Sequence, residues 1–319
     1  MIAIRPFQNR DIPEIISIWR SEPAHRALFS AVTPMLLEEF VFGRLYFDPE
    51  GFLLADQDGE CCGFVHAAFM PDRDLRWVDR SRGMVDMLMV RPGPDEDRVA
   101  AELIQAGIAY LRRCGAVDIY GGAIPPYDPF YAGLYGGMVP AGTLQSDLRR
   151  TRWLATAGFV ETGAVSVYQL HTQDQRPLVT RDLLLLRRQC RLETLLDPDP
   201  QDWWEANAAA HHDLWLFRAL ATSHATAIGR VRYSDIEPLA CQWQVAAVEL
   251  LSMQADGNPP TAGWDVYLLS ESIKQLNQSG IRLVQWVIRE GDEQAQRLAE
   301  PMGFKLVDRG VFRCLPRSG

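Results

Sequence analysis

Two acidic residues stand inside apolar segments at the same offset: Asp86 precedes Val90 by four places, and Glu249 precedes Met253 by four. A carboxylate in such a setting either takes a proton from a reacting group or pairs with an arginine at a sheet end. A second concentration of reactive groups is the segment 124–137, rich in aromatic, proline and glycine residues. Its phenols, Tyr127, Tyr131 and Tyr135, are candidate proton donors; the alternative is a packed covering loop. His66 lies in an apolar run and reads as a core or pocket-edge side chain rather than a base. His211-His212-Asp213 has the residue types of a metal fragment but no further ligands at useful spacing, so it reads as a solvated turn and no metal is expected. Trp203-Trp204 reads as packing. No P-loop, dinucleotide-binding glycine fingerprint or serine elbow is present.

The elements that must position these groups occur twice. Asp147 stands eleven residues before Gly158-Phe159, and Asp292 eleven before Gly303-Phe304. Upstream, each acid-bearing segment leads through a helical stretch to a glycine that opens a new apolar run, Gly115 and Gly280. Acid to glycine is 29 residues in one copy and 31 in the other; glycine to the second Asp is 32 against 12. About twenty extra residues therefore follow the Gly115 run, and segment 124–137 belongs to them. Landmarks that recur in order mark an internal duplication.

Within the first copy, Ile2–Arg5 reads as a strand and the stretch after Asp11 as a helix. Phe52–Ala55 and Gly63–Phe69 flank Asp56-Gln57-Asp58-Gly59 as a hairpin. Met84–Val90 is the next strand, Ala100–Arg113 a helix, and Val165–Tyr168 a last strand. In the second copy, Leu183–Leu196 fits strand or helix, Leu214–Phe217 and Ala225–Val231 a hairpin, and Val245–Met253 the acid-bearing strand. The polar run around 172–181 is the expected boundary, giving domains 1–175 and 176–319.

The composition of 319 residues, 47% hydrophobic, is enough for two ordinary cores. A net charge of −9 with no clustered basic face argues against a nucleic-acid partner and favours a small-molecule one. The start, Met1-Ile2-Ala3-Ile4-Arg5-Pro6, has no basic region followed by an apolar stretch, and no apolar run is long enough to span a bilayer. The six cysteines form neither metal-ligand spacings nor a disulfide framework. The expectation is a cytoplasmic protein with no membrane partner. Only Lys274 and Lys305 stand beside thirty arginines, so the first half has no lysine to use in catalysis.

Strand and helix, hairpin, strand, helix, strand, and a short helix ending in Gly-Phe before a final strand resembles the GNAT acyltransferase superfamily in a tandem, double-GNAT arrangement. The family's last helix reads Asn-x-x-Ala-x-x-Leu-Tyr-x-x-x-Gly-Phe. This sequence gives Asp292, Ala295, Leu298, Ala299 and Gly303-Phe304, and Asp147, Arg150, Trp153, Leu154 and Gly158-Phe159. The resemblance implies two α/β domains, each a mixed, mostly antiparallel sheet flanked by helices. It also implies acetyl-CoA as co-substrate, transfer of an acetyl group to a primary amine of a small molecule, and Asp86 or Glu249 as the proton acceptor. The family's tyrosine acid is replaced by Leu154 and Ala299, so a donor is sought in Tyr127 or Tyr131. The acyl-CoA loop, R/Q-x-x-G-x-G/A in the family, aligns with Asp95–Ala100 and with Pro260–Asp265. On the first copy the resemblance implies carrier contacts from Leu88, Met89 and Val90 of the strand and from Arg98, Val99 and Ala100 at the helix start. Two other readings stay open: a degenerate pair kept as a ligand-binding or interaction scaffold, and an active site in the second copy.

Overall fold

A computed structural model describes residues 1–176, 178, 180–223, 226–257 and 260–317. Pro177 and Val179 of the expected boundary run and Ala225 of the expected hairpin lie outside the described residues. The elements of the first half are β1 (Ile2–Pro6), α1 (Ile12–Ser21), α2 (Pro34–Leu37), β2 (Phe52–Gln57), β3 (Glu60–Pro71), β4 (Val78–Val90), α3 (Glu96–Arg113), β5 (Asp118–Tyr120), β6 (Thr143–Leu144), α4 (Leu148–Thr156) and β7 (Val160–His171). There follow α5 (Arg181–Gln189), β8 (Cys190–Leu196), α6 (Trp203–Ala208), β9 (Leu214–Ala221), β10 (Ala227–Asp235), α7 (Glu237–Trp243), β11 (Ala247–Ala255), α8 (Trp264–Gln278), β12 (Leu283–Arg289), α9 (Glu293–Met302) and β13 (Lys305–Leu315). The run 183–196 is thus both helix and strand, in succession.

The chain forms two compact units, and neither is one continuous stretch. Unit 1 holds Met1–Ala164, Gln201–Ala208 and the run from Arg309; unit 2 holds Val165–Pro200 and Ala209–Asp308. A cut at 175/176 therefore does not separate them, because strand pairing reassigns the ends. Residues 165–171 of β7 pair antiparallel with β12, and Cys314 and Leu315 of β13 pair with Tyr120 and Ile119 of β5.

In unit 1 the sheet order is β1-β2-β3-β4-β5-β13. The β2–β3 hairpin closes on Asp58 (φ 54°) and Gly59 (φ 88°), two left-handed residues between the paired Gln57 and Glu60, the geometry of a two-residue type I′ turn. Helix α3 carries apolar residues at 99, 100, 103, 104, 108 and 111, a single face, and packs it on Val65, Ala67, Val85 and Leu88 of the sheet. In unit 2 the order is β7-β12-β11-β10-β9-β8, and α8 packs Leu268, Leu269, Ile273 and Leu276 among Phe217, Val231, Tyr233 and Val248.

The repeated Asp…Gly-Phe ending is a pair of helix terminators. Asp147 Oδ1 accepts the N–H of Arg150 (3.1 Å) and Asp292 Oδ1 that of Ala295 (3.0 Å), each capping its helix. Gly158 (φ 90°) and Gly303 (φ 102°) then reverse the chain in the left-handed region. Phe159 N–H donates to Leu154 O (3.1 Å) and Phe304 N–H to Ala299 O (3.0 Å), the long-range bond of a Schellman closure, and both phenylalanines are buried.

Candidate active site

Strand β4 is interrupted in the middle of the unit 1 core. His66 of β3 pairs with Met87, and the next residue, Ala67, with Val85, so Asp86 is the unpaired residue of a β-bulge. A bulge re-aims its side chain, and here it turns a carboxylate inward: Asp86 is 2% exposed, with Oδ2 buried and without a hydrogen-bond partner among the described residues. Burial lifts its pKa well above the carboxylate range, the negative charge of Asp128 lifts it further, and Arg150 opposes both.

The inserted segment brings its own polar groups to the same place. Asp128 Oδ1 accepts the N–H groups of Phe130 (3.0 Å) and Tyr131 (2.8 Å), an Asx-type turn that fixes the ring of Tyr131 in the interior. Burial raises the Asp128 pKa against those two bonds, and it raises that of Tyr131 with help from the charges of Asp86 and Asp128. Tyr131 Oη and His66 Nδ1 share a hydrogen bond of 2.9 Å. Phe130, Phe52 and Phe47 pack around the imidazole at ring-centroid distances of 4.4, 5.1 and 5.7 Å. That apolar jacket pushes the His66 pKa down to about 3, so the ring is neutral at physiological pH.

The other two phenols go elsewhere. Tyr135 O–H donates to the capping Asp147 Oδ2 (3.1 Å) while its oxygen accepts the N–H of Leu144 (3.2 Å). Tyr127 O–H donates to Asp202 Oδ2 (2.8 Å). Trp203 and Trp204 are packing residues, the latter fully buried against Tyr46 with centroids 4.6 Å apart.

Glu249 is also fully buried but does not occupy the place of Asp86. In β11 the bulge residue is Leu251, since Arg232 pairs with Ser252 and Tyr233 with Leu250. The parallel neighbours agree. Asp118 and Ile119 lie opposite Arg82 and Gly83, and their counterparts Leu283 and Val284 opposite Ala247 and Val248, which sets Glu249 level with Met84. Leu251 precedes Gly280 by 29 residues, the same spacing as Asp86 to Gly115, so the two-residue disagreement between the copies vanishes. The paired-acid alignment of the two copies is therefore two residues out of register.

Beyond Met84, β4 leaves β5 and runs alone to Val90 on that side. Arg91 N–H donates to Cys62 O (2.7 Å), which sets the alternation: the backbone of Met87 and Met89 bonds β3, and the N–H groups of Leu88 and Val90 face the free edge. Of the expected strand contacts, Met89 is thus turned away. At the start of α3, Val99 N–H already donates to Asp95 O (3.0 Å) and Ala100 lies one residue deeper, both apolar side chains serving the core. The donors open to a ligand there are those of the first turn, Asp97 and Arg98, not Val99 and Ala100. Arg98 itself is half exposed and pairs with Asp95 (3.2 Å).

Sequence reasoning passed over the arginines of α4. Arg149 donates to Glu22 (2.6 Å), to Glu96 (2.9 Å) and to Val90 O (2.8 Å), and stacks 4.6 Å over Trp153. Arg150, 2% exposed, donates to Asp86 O and lies 4.9 Å over the Tyr135 ring. Arg152 binds Glu96 (3.0 Å) and Asp97 (2.6 Å). Glu96 and Asp97 at the α3 N-terminus are therefore neutralised from α4. Arg91, directly after the end of β4, is spent on Glu14 (3.0 Å) and Cys61 O (3.0 Å). The signal was available as Leu148-Arg149-Arg150-Thr151-Arg152, a basic run opposite an acidic one. Among the described residues, no group of three or more His, Cys, Asp or Glu is arranged to hold a metal ion, and no helix is long and apolar enough to cross a membrane.

Residues 12–124 match the model of the acetyltransferase (GNAT) family, a stretch that ends where the aromatic insertion begins. No curated protein matches the sequence. Among solved structures, a tandem GNAT protein from the clavulanic acid biosynthesis pathway superposes with a TM-score of 0.62 at 14% identity, over 100% of this chain and 99% of that one. A GCN5-related N-acetyltransferase from Sphaerobacter thermophilus gives 0.59 at 14% identity, over 98% and 95%. A GCN5-related glucosamine N-acetyltransferase region of a fungal multi-domain β-N-acetylglucosaminidase gives 0.65 at 13% identity, over 98% of this chain and 38% of that one. At such identities the likeness is one of fold. The chain thus carries an acetyltransferase (GNAT) family domain in its first half and has the tandem GNAT fold over its whole length.

Proposed function

We propose that unit 1 is an N-acyltransferase that takes an acetyl group from acetyl-CoA and passes it to a primary amine of a small molecule. The observation that carries this reading is Asp86: a carboxyl at a bulge of the strand whose edge is free, buried, with Oδ2 unpartnered and a raised pKa. A carboxyl lifted in this way holds a proton more tightly than a surface one, the property needed to take one from an ammonium.

The acceptor nitrogen gives one proton to Asp86 and attacks the thioester carbonyl carbon. A C–N bond forms, and the oxyanion is held by the N–H of Leu88 or Val90, the two that face the free edge. On collapse the C–S bond breaks and the second nitrogen proton passes to sulfur. Tyr131 suits this as a relay that gives its proton to sulfur and regains one from nitrogen. With a pKa raised by burial it is a poor stand-alone acid. His66, neutral and bonded to the phenol oxygen, orients it. A chain of net charge −9 draws cationic amines to its surface.

Thiol release from acetyl-CoA across a panel of primary amines tests the proposal, with turnover expected from the parent and lost in Asp86→Asn. A panel without turnover, and no thermal stabilisation by acetyl-CoA, removes it. One observation favours a second, non-catalytic reading as a ligand-binding or interaction scaffold: the free edge of β4 already carries two guanidinium groups. A catalytic centre in unit 2 has less support, since Leu251 stands at its bulge.

A further inference from the structure

The free edge of β4 is bounded by two carbonyls, Asp86 O and Val90 O, about 13 Å apart on an extended strand. Arg150 Nη2 bonds the first and Arg149 Nη2 the second (2.8 Å). The two side chains leave consecutive positions of α4 and diverge to the two ends of the edge. Between them face the N–H groups of Leu88 and Val90.

Arg149 is held by more than the strand. Glu22, from the end of α1, and Glu96, from the first turn of α3, both accept from it, and its carboxylate partners are themselves largely buried. Yet neither arginine is fully satisfied. The Nε of Arg149 and the Nε of Arg150 are both buried without a partner among the described residues. A buried donor without a partner is destabilising, so the closed arrangement carries a cost that release to water removes. The same positions of α9, counted from the capping Asp292, are Gln294 and Ala295. Gln294 donates to Asp265 Oδ2 (2.9 Å) on α8, and neither residue has a guanidinium to send to a strand.

We propose that Arg149 and Arg150 form a latch on the free edge of β4, so that an extended acyl carrier lies along that edge only after the α4 guanidiniums have left its carbonyls. The inference rests on the reading of unit 1 as the acyl-CoA site. Apparent affinity is reduced by the fraction of molecules with the edge clear, so weakening the latch tightens binding without adding a contact.

The test is isothermal titration of the full chain with acetyl-CoA, for the parent and for Arg149→Gln, the residue that the second copy carries at this place. The latch predicts at least tenfold tighter binding in R149Q. It also predicts faster hydrogen exchange of the Leu88 and Val90 amides before ligand is added, with β9 and β10 unchanged. Glu22→Gln, which loosens Arg149 without altering α4, shifts both readouts the same way by a smaller factor and covers the case in which R149Q folds poorly. Parent-like or weaker affinity in both variants, with the parent still binding, overturns the latch alone. No binding by any of the three chains removes the acyl-CoA reading and the latch with it.

Discussion

The two copies keep the same frame and differ at the two places where chemistry is expected. Both have a bulged strand leaving its parallel neighbour, and both have a capped helix closed by a left-handed glycine and a buried phenylalanine. At the bulge, unit 1 has Asp86 and unit 2 has Leu251. On the following helix, unit 1 has Arg149 and Arg150 where unit 2 has Gln294 and Ala295. Frame residues are held by backbone geometry, which favours few residue types at a cap or a left-handed turn. The bulge side chain is not needed by the fold, so its identity reports what the unit does. A buried carboxylate beside a second one, Asp128, is a fold-destabilising choice that leucine avoids in the other copy.

The largest effect expected from this contrast is on turnover. Asp86→Asn lowers kcat/KM for the amine by about 100-fold or more, the scale of a lost general base. Glu249→Gln, two residues out of the equivalent register, leaves it within about twofold of the parent. A larger loss from the second variant moves the centre to unit 2.

The pH dependence of folding sharpens the comparison next, because the perturbed acids and imidazole of the unit 1 site act in opposite windows. His66 titrates at about 3 in the fold against an ordinary 6.5, so its contribution is complete above 6.5 and is lost as pH falls toward 3. Glu22 is lifted by burial from 4.5 to about 7, with Arg149 opposing and the charges of Asp147 and Glu96 adding, so its contribution is complete below 4.5 and is lost as pH rises through 7. Melting temperature followed across pH should lose part of its acid limb in His66→Gln and part of its alkaline limb in Glu22→Gln. An unchanged profile in both contradicts the burial argument.

The smallest difference concerns the shared frame. Asp147→Ala and Asp292→Ala each cost about 1 kcal/mol in urea unfolding, the worth of one N-cap. Asp147 should cost somewhat more, because Tyr135 also donates to it. Equal losses would assign the Tyr135 bond no weight.

Much of the frame was legible in the sequence for a physical reason. Caps, left-handed turns and amphipathic faces are local, so Asp147, Gly158, Asp58-Gly59 and the α3 stripe announce themselves by type and spacing. What was not legible depends on pairing between distant segments. A bulge leaves no mark in composition, so residue type pairs Glu249 with Asp86, and only strand pairing shows that Leu251, two residues further on, is the equivalent position. The exchange of β7 and β13 moves the domain boundary for the same reason: the final strands look alike, and only their partners differ. Tyr131 was visible as a phenol in the insertion, but its company of His66, Asp86 and Asp128 needed three segments brought together. The α4 arginines sit inside a motif read for its Asp and its Gly-Phe ending, and their role depends on where the strand edge is free.

A crystal structure of the full chain soaked with acetyl-CoA tests the central claim most directly. The account predicts the thioester carrier along Leu88–Val90 of unit 1, with Asp86 beside the acetyl group and the Arg149 guanidinium withdrawn from Val90 O. Carrier density confined to β11 of unit 2, or both arginines still seated on β4 at saturating carrier, would contradict it.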